Sequence, residues 1–377
     1  MKITIVGAGL FGIVLAHELS RMDFDILLID KRDHIGGNCY DYLDDNTGIL
    51  IHKYGPHILH INDEKIYRYI TKFCKFNNYK HQVRTLYNDK IYEFPINLST
   101  INNFYNVNLH PYEVLDFLSS EARKDSVPNP QNMEEKVISL IGRPLYEAFF
   151  KEYTTKQWGK NPAQLPASII NRIPIKCNYD TNYYKKSFNG MPSEGYTKLF
   201  EKMLQSKKIS IQLNTDFFHN RDYFLKHDLL VYTGPIDAFF GYEHGKLEYR
   251  SLRFEEELHY VDDWQGNSVI NYPELKYSYT RICEPKHFYP ERWNSCSKNK
   301  TLIFKEISFS NSSGDPYYPI LDKTNMEIYR KYKNDSLLYD NIYFGGRLGE
   351  YKYYDMEDTI KSALKLSTKI LMKYTGR

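Results

Sequence analysis

Lys2-Ile3-Thr4-Ile5-Val6-Gly7-Ala8-Gly9-Leu10-Phe11-Gly12 opens the chain, and Ile26-Leu27-Leu28-Ile29-Asp30 follows it. The β-branched, apolar start has the character of a strand buried in a parallel sheet. Gly7, Gly9 and Gly12 place G-x-G-x-x-G at the turn from that strand into a helix, predicted from Ile13 to Arg21. The first glycine permits the tight turn, the second lets backbone approach a pyrophosphate, and the third packs helix on strand. The helix N-terminus, with its free amides and dipole, would hold the phosphates. Asp30 ends the second strand about twenty residues after the glycines, placed to accept from an adenosine ribose 2′-OH. A 2′-phosphate beside that carboxylate would be repelled, so an unphosphorylated ribose is expected. A lone glycine-rich turn is weak evidence, but this one has its strand, helix and acid.

The chain continues with Arg32-Asp33-His34-Ile35-Gly36-Gly37-Asn38. This Arg-x-x-x-Gly-Gly string resembles the extended fingerprint of FAD-binding proteins of the glutathione-reductase-like superfamily. The resemblance implies FAD rather than NAD. It places Phe11, Lys31, Gly36, Gly37 and Asn38 with Gly7, Gly9, Gly12 and Asp30 around the cofactor.

Composition sets bounds. At 377 residues the chain exceeds the size at which one core keeps growing, so two or three domains are expected. A net charge of +3 is too balanced to imply nucleic acid or an anionic membrane as partner. The 35 tyrosines offer flat apolar faces with hydroxyl donors, suited to bases, sugars and phosphates, although compositional drift accounts for most of them. Five cysteines without a C-x-x-C argue against a disulfide framework and fit a reduced cytoplasm. The opening segment reads as a fold element rather than a signal peptide, and no apolar run is long enough to insert in a membrane.

Further along, Arg84–Tyr87 and Lys90–Phe94 flank a polar Asn88-Asp89 turn and read as a hairpin. From Pro111 to about Trp158 the apolar spacing turns helical, suggesting an inserted helical domain. Short alternating strands return between Ile209 and Ile307, the stretches Tyr249–Glu256, Ser268–Asn271, Tyr279–Cys283 and Leu302–Glu306 predicting an antiparallel sheet. Leu229–Tyr232 and Asn341–Phe344 are buried strands, and Glu357–Tyr374 is an amphipathic helix. The expected fold is α/β: a discontinuous Rossmann-like FAD-binding domain, a helical insert and an antiparallel substrate sheet. Residues 1–80, about 200–240 and 335–377 would form the first, about 100–170 the second, and about 81–99, 171–199 and 241–334 the third.

Several strings resemble the bacterial UDP-galactopyranose mutase family nearly end to end. They are Ile51-His52-Lys53-Tyr54-Gly55-Pro56-His57-Ile58-Leu59-His60, Tyr153-Thr154-Thr155-Lys156-Gln157-Trp158-Gly159, Leu247–Leu252, Asp315-Pro316-Tyr317-Tyr318-Pro319 and Gly345–Met356. The resemblance implies an isomerase that interconverts UDP-galactopyranose and UDP-galactofuranose for cell-surface glycans, in a homodimer. It implies FAD active when reduced, its N5 attacking the sugar's anomeric carbon and displacing UDP, with no net redox change.

The resemblance also implies roles. Arg172 and Arg281 match two pyrophosphate-contacting arginines, fixed charges that would stabilise the departing UDP. Tyr183, Tyr317 and Tyr353 match phosphate donors. Phe149, Phe150 and Tyr153 match the uracil-stacking region, Thr154 beside them is counted with the substrate-binding residues, and Trp158 matches a tryptophan of a mobile loop closing over substrate. Asn271 and Asp355 match polar residues near substrate or flavin, while Gly346, Arg347, Tyr354 and Met356 belong to a flavin-contacting turn. His57 and Ile58 would lie against the flavin with His60 nearby, the two histidines counted with the catalytic set. Alone, each residue has a blander reading as surface charge or core aromatic; the strings' common order reverses it.

His52, His57 and His60 fall within nine residues, yet their spacing does not match H-E-x-x-H and no ligand set is completed, so no metal is expected. Two departures stand out against the family pattern. Pro56 replaces an expected alanine, and His81 or Gln82 stands where relatives offer a substrate-contacting asparagine. The competing function is an FAD-dependent oxidoreductase of the amine oxidase kind; a third is a flavin-bearing protein that only binds a nucleotide sugar. Because reduced flavin carries negative charge near N1, a neutral His57 beside it would respond to redox state. His57→Ala is therefore expected to shift the flavin's reduction potential, measured by absorbance during reductive titration; an unchanged potential would rule that coupling out.

Overall fold

The computed structural model describes residues 1–22, 24–172, 175–310 and 314–375, with the side chains of 168, 171, 172 and 375 outside that description. Strand β1 (Lys2–Val6), helix α1 (Leu10–Ser20) and strand β2 (Asp25–Ile29) form the expected opening unit. The helix starts at Leu10, three residues before the expected Ile13, because Gly9 takes the extended N-cap conformation. Five parallel strands follow the order Ile342–Phe344, Leu229–Tyr232, β1, β2, Ile209–Gln212. Three of the five thus arrive from the second half of the chain. Almost every α1 residue is buried, the helix lying between this sheet and the C-terminal helix Met356–Thr375.

The glycines earn their places sterically. Gly7 has φ +107°, open to glycine and strained for other residues. A Cβ added to Gly12 would lie 2.0 Å from the Gly7 carbonyl oxygen, so helix and turn meet backbone to backbone.

A second sheet has seven strands in the order Tyr318–Pro319, Tyr249–His259, Thr301–Ser310, Arg281–Cys283, Val269–Asn271, Val83–Tyr87, Lys90–Phe94. The last two form the expected hairpin, Asn88 and Asp89 at φ 46° and 58° as a two-residue type I′ turn requires. One feature corrects the expectation: Val83–Tyr87 pairs parallel to Val269–Asn271, so the sheet is mixed, its other pairs being antiparallel. The two strands are far apart in sequence, and no tight turn forces them antiparallel.

The helical segment begins earlier than its apolar periodicity suggested. Leu98–Tyr105 is a helix started by a capping box between Asn97 and Thr100. Further helices span Val114–Arg123, Met133–Ile141 and Arg143–Tyr146; then a π-helical turn, Glu147–Lys151, leads into helix Glu152–Trp158. No helix among the described residues is long and apolar enough to cross a membrane.

Gly12→Ala forces a methyl group into the Gly7 carbonyl. It should destabilise the domain by roughly 1–3 kcal/mol and weaken flavin retention; thermal denaturation and the flavin-to-protein absorbance ratio measure both.

Candidate active site

The glycine turns make a groove at the end of the parallel sheet. The N-cap of α1 is Gly9, without a side-chain cap, and the helix's first turn carries no acid, so its amides can receive an anion. Gly9 pairs with Gly36 as an isolated bridge, and a Cβ on Gly37 would lie 2.8 Å from the Gly9 Cα. Asp30 ends up buried beside them, accepting from the backbone N–H of Ala8 at 2.7 Å and of Arg32 at 2.9 Å. Arg32 supports the second loop: it donates to Asn38 Oδ1 at 3.0 Å and lies 4.3 Å over the Tyr54 ring. Lys31 and Arg32 both pair with Asp315. Phe11 is buried, its ring 2.2 Å from where a Gly345 Cβ would stand, so the ring packs against the Gly345-Gly346 turn. Uncapped amides, glycine contacts without side-chain bulk and a buried acid fit the ADP half of a dinucleotide.

A cleft of about 1040 Å³ adjoins this groove. Its walls include His57, Ile58 and His60 on one side and Arg347, Tyr353, Tyr354, Asp355 and Met356 on another. Tyr153, Trp158, Tyr183, Asn271, Arg281 and Tyr317 complete it, so residues spread over most of the chain converge. Lys31, Asn38 and Gly346 are not on this wall; Gly346 sits behind it, packed on Phe11 and Thr233. Arg172 closes the 3-10 segment Ala167–Arg172, and its side chain lies outside the described residues.

Arg281 is the charge best fixed in the cleft. Its Nε and Nη2 each lie 2.8 Å from Glu306 Oε2, a carboxylate with no solvent exposure, while a quarter (25 %) of the Arg281 side chain remains open. Burial disfavours the guanidinium charge, but Glu306 and neighbouring groups outweigh it and hold Arg281 protonated well above the usual arginine range. The other Glu306 oxygen has no hydrogen-bond partner among the described residues.

Around this charge the tyrosines are built as a stack. Tyr318 and Tyr353 lie parallel at 5.0 Å, Trp158 tilts onto Tyr353 at 6.0 Å, and Arg347 sits 5.1 Å over Tyr318. Arg347 donates to the carbonyls of Tyr317 at 3.3 Å and Tyr354 at 2.8 Å, holding the two tyrosine strings together. Tyr317 Oη donates to the Tyr54 carbonyl and lies 3.3 Å from His57 Nε2.

Three histidines at or near the cleft are held neutral. Burial pushes His52, His57 and His81 each down to about 3. A neutral His57 donates from Nδ1 to the Gly55 carbonyl at 2.8 Å, which leaves Nε2 unprotonated 3.3 Å from Tyr317 Oη, whose one proton goes to the Tyr54 carbonyl. His60 stacks on Tyr184 at 3.9 Å, and His81 lies nearly parallel to the same ring at 5.7 Å. His81 lines the cleft with Nδ1 bonded to Tyr79 Oη, whereas exposed Gln82 bonds Thr181; position 81 therefore faces the site.

Phe149, Phe150 and Thr154 lie deeper, lining a cavity of about 80 Å³ that shares Tyr153, Trp158, Tyr183 and Asn271 with the main cleft. The π-helical turn carries both phenylalanines, the extra residue per turn resetting the helix face just before Tyr153. Phe149 packs edge-on against Tyr87 and Tyr92 of the hairpin, which ties this cavity to the sheet.

Residues that the sequence reading did not select include Glu306, Tyr318, Lys156 and the pair Lys186–Glu357 (2.6 Å). Glu306 had a signal: an acid in the strand run Leu302–Glu306, where buried charge demands a partner. Lys156 had none, since its partners are main-chain carbonyls.

The UDP-galactopyranose mutase family model matches residues 148–353, and a model of the NAD(P)-binding Rossmann-like domain matches residues 5–73. A Klebsiella pneumoniae protein named "Probable UDP-galactopyranose mutase" is 42% identical, covering 98% of this chain and 94% of its own. An Escherichia coli dTDP-fucopyranose mutase is 37% identical over 97% of each chain. A Mycoplasma pneumoniae UDP-galactopyranose mutase is 32% identical over 97% of this chain and 95% of its own. Among solved structures, reduced UDP-galactopyranose mutase superposes with TM-score 0.77 at 15% identity, covering 99% of this chain and 94% of that one. A putrescine oxidase with bound putrescine superposes at TM-score 0.57 and 9% identity, covering 98% and 99%, a likeness of fold alone.

The buried histidines set a pH response. His52 and His81 bind protons near 6.5 when unfolded but only near 3 when folded, so the unfolded chain holds more protons between those values. Stability is complete above about pH 6.5 and should fall by about 1.4 kcal/mol per histidine for each pH unit below it. Urea denaturation between pH 7 and pH 5 checks this, and His81→Gln should flatten the slope.

Proposed function

The chain belongs to the UDP-galactopyranose mutase family, and from that premise we propose that it interconverts UDP-galactopyranose and UDP-galactofuranose. The family makes it a nucleotide-sugar isomerase with a flavin-type cofactor; we take that cofactor to be FAD, active when reduced. The observation that carries the reading is Arg281, held on the buried Glu306 and open to the same cleft as the His57–Ile58 turn. A fixed cation there suits a substrate whose leaving group is a diphosphate.

The glycine groove would hold the ADP half: Gly7, Gly9 and Gly12 with the α1 amides at the pyrophosphate, Asp30 at the ribose, and Gly36, Gly37 and Asn38 in the adjoining loop. When bound and reduced, the flavin supplies an electron-rich nitrogen for the anomeric carbon without net electron transfer. The chain's own residues then do the rest. Arg281, with Arg172, binds the diphosphate, stabilises its charge as the glycosyl bond breaks and keeps it in place for return. Tyr183 and Tyr353 donate hydroxyl hydrogens to the same oxygens, as does Tyr317 once its hydroxyl turns from the Tyr54 carbonyl, while their rings exclude water. Tyr153, with Phe149 and Phe150 behind it, receives the uracil; Thr154 contacts the substrate beside it, and Trp158 closes over the substrate. Asn271 and Asp355 meet polar groups of the sugar or flavin. His57, kept neutral by burial, flanks the reacting centre without adding a competing charge, with His60 nearby.

We further place the enzyme in the cytoplasm, as a homodimer supplying galactofuranose for cell-surface glycans. The cysteines support the compartment: all five are free, as a reducing milieu would leave them. The oxidoreductase alternative shares the fold but does not account for a cationic, tyrosine-walled cleft. The fucose-nucleotide relative makes the sugar the point to test. Dithionite-reduced, FAD-loaded protein should convert UDP-galactofuranose to the pyranose by chromatography, with dTDP-fucofuranose as the second substrate arm. Arg281→Ala should lower kcat by roughly 100-fold or more. No conversion of either sugar by the reduced, loaded protein would overturn the reading.

A further inference from the structure

Lys156 lies on the helix Glu152–Trp158, between Tyr153 and Trp158, yet does not line the cleft itself. Its ammonium reaches away to four carbonyls of a single turn: Tyr272 at 2.5 Å, Tyr279 at 2.8 Å, Glu274 at 3.0 Å and Tyr277 at 3.1 Å. One helical turn earlier, Glu152 accepts the backbone N–H of Leu275 at 2.7 Å. A cation therefore meets the carbonyls of this turn, and an anion meets one of its amides.

The turn joins two strands of three residues each, Val269–Asn271 and Arg281–Cys283, whose ends Asn271 and Arg281 face one another across the ladder. Both ends line the cleft. The helix is in turn fixed to the neighbouring strand: Arg250 donates to the carbonyls of Gln157 at 3.0 Å and Lys156 at 3.2 Å. Lys160, just past the helix, bonds Asp322 and Glu248. So the aromatic wall is anchored at its far end, while the Asn271–Arg281 wall is set by three-residue ladders and the Arg281–Glu306 pair. Its turn is tied to the aromatic helix through Lys156 and Glu152, and to the Asn88-Asp89 hairpin only by exposed contacts of Glu274 and Lys276.

We propose that Lys156 is a positioning residue for the substrate cleft. Its ammonium gathers the Tyr272–Tyr279 turn onto the helix bearing Tyr153 and Trp158, and so sets the distance between those aromatics and Asn271 and Arg281. Four carbonyls converging on one point repel each other without a cation, so the turn opens when the cation is removed. Burial lowers Lys156 to about 8, with Glu152 on its own helix and Glu274 on the facing turn opposing that fall, so the group is charged at neutral pH. The consequence for UDP rests on the functional reading above; the clamp itself does not.

The test uses FAD-loaded Lys156→Ala with n-propylammonium chloride to refill the deleted side chain, and tetramethylammonium chloride, which lacks N–H donors, as control. UDP affinity by calorimetry should weaken at least about tenfold, and amide exchange in residues 272–279 should speed by a similar factor. Flavin content should stay unchanged, and propylammonium alone should restore both readouts. UDP affinity and exchange near wild type, or losses that propylammonium does not reverse, would overturn the proposal. If Lys156→Ala loses flavin, Lys156→Met keeps the stem and is read by the same affinity and exchange changes; flavin loss in both variants would also overturn it. If the wild-type protein does not bind UDP, the functional reading fails separately, and exchange in the turn still decides the clamp.

Discussion

Backbone meeting backbone at Gly12 and Gly7 is the constraint from which the rest of the architecture follows. With a carbonyl oxygen 2.0 Å from the site a Cβ would occupy, α1 packs directly over the turn that ends β1. That contact aims the uncapped helix N-terminus along the groove, and the Gly9–Gly36 bridge brings the second loop against it. Asp30 is buried there because two backbone amides donate to its oxygens, which offsets the desolvation of its carboxylate. The glycine groove and the end of the parallel sheet are thus one feature, and the cleft lies where that groove meets the mixed sheet.

Inside the cleft, charge is arranged differently. Arg281 leans on a carboxylate with no exposure, a pair that is costly to desolvate and costlier to break. Its value lies in direction: the guanidinium cannot swing away to water, so its open edge is presented to whatever enters. The surrounding tyrosines act similarly, with Arg347 tying the Tyr317–Tyr318 and Tyr353–Tyr354 strings by main-chain bonds and ring contacts. Lys156 extends the same device to the Tyr272–Tyr279 turn, using carbonyls as its partners.

Much was legible in the residues alone. The β1–α1–β2 unit was, since glycine spacing and an acid at a strand end are local requirements. So were the hairpin at Asn88-Asp89 and the buried strand Leu229–Tyr232. The parallel pairing of Val83–Tyr87 with Val269–Asn271 was not, because pairing between distant segments leaves no local trace. The helix Leu98–Tyr105 was missed for its shortness, although Asn97 and Thr100 signalled its start. Whether His81 or Gln82 faces the cleft also stayed open, since register in an irregular segment comes from packing; stacking beside Tyr184 chose His81.

By itself the sequence determined the dinucleotide turn, the α/β class and the ordered strings that resemble one family, because each is written in neighbouring residues. Only the tertiary structure decided that Glu306 holds Arg281, that Phe149 and Phe150 sit behind the main cleft, and that Lys156 grips a turn more than a hundred residues away. The physical reason is the same throughout. Glycines and strand patterns act on their own backbone, whereas a buried charge or a main-chain carbonyl acquires its role from whatever the fold sets beside it.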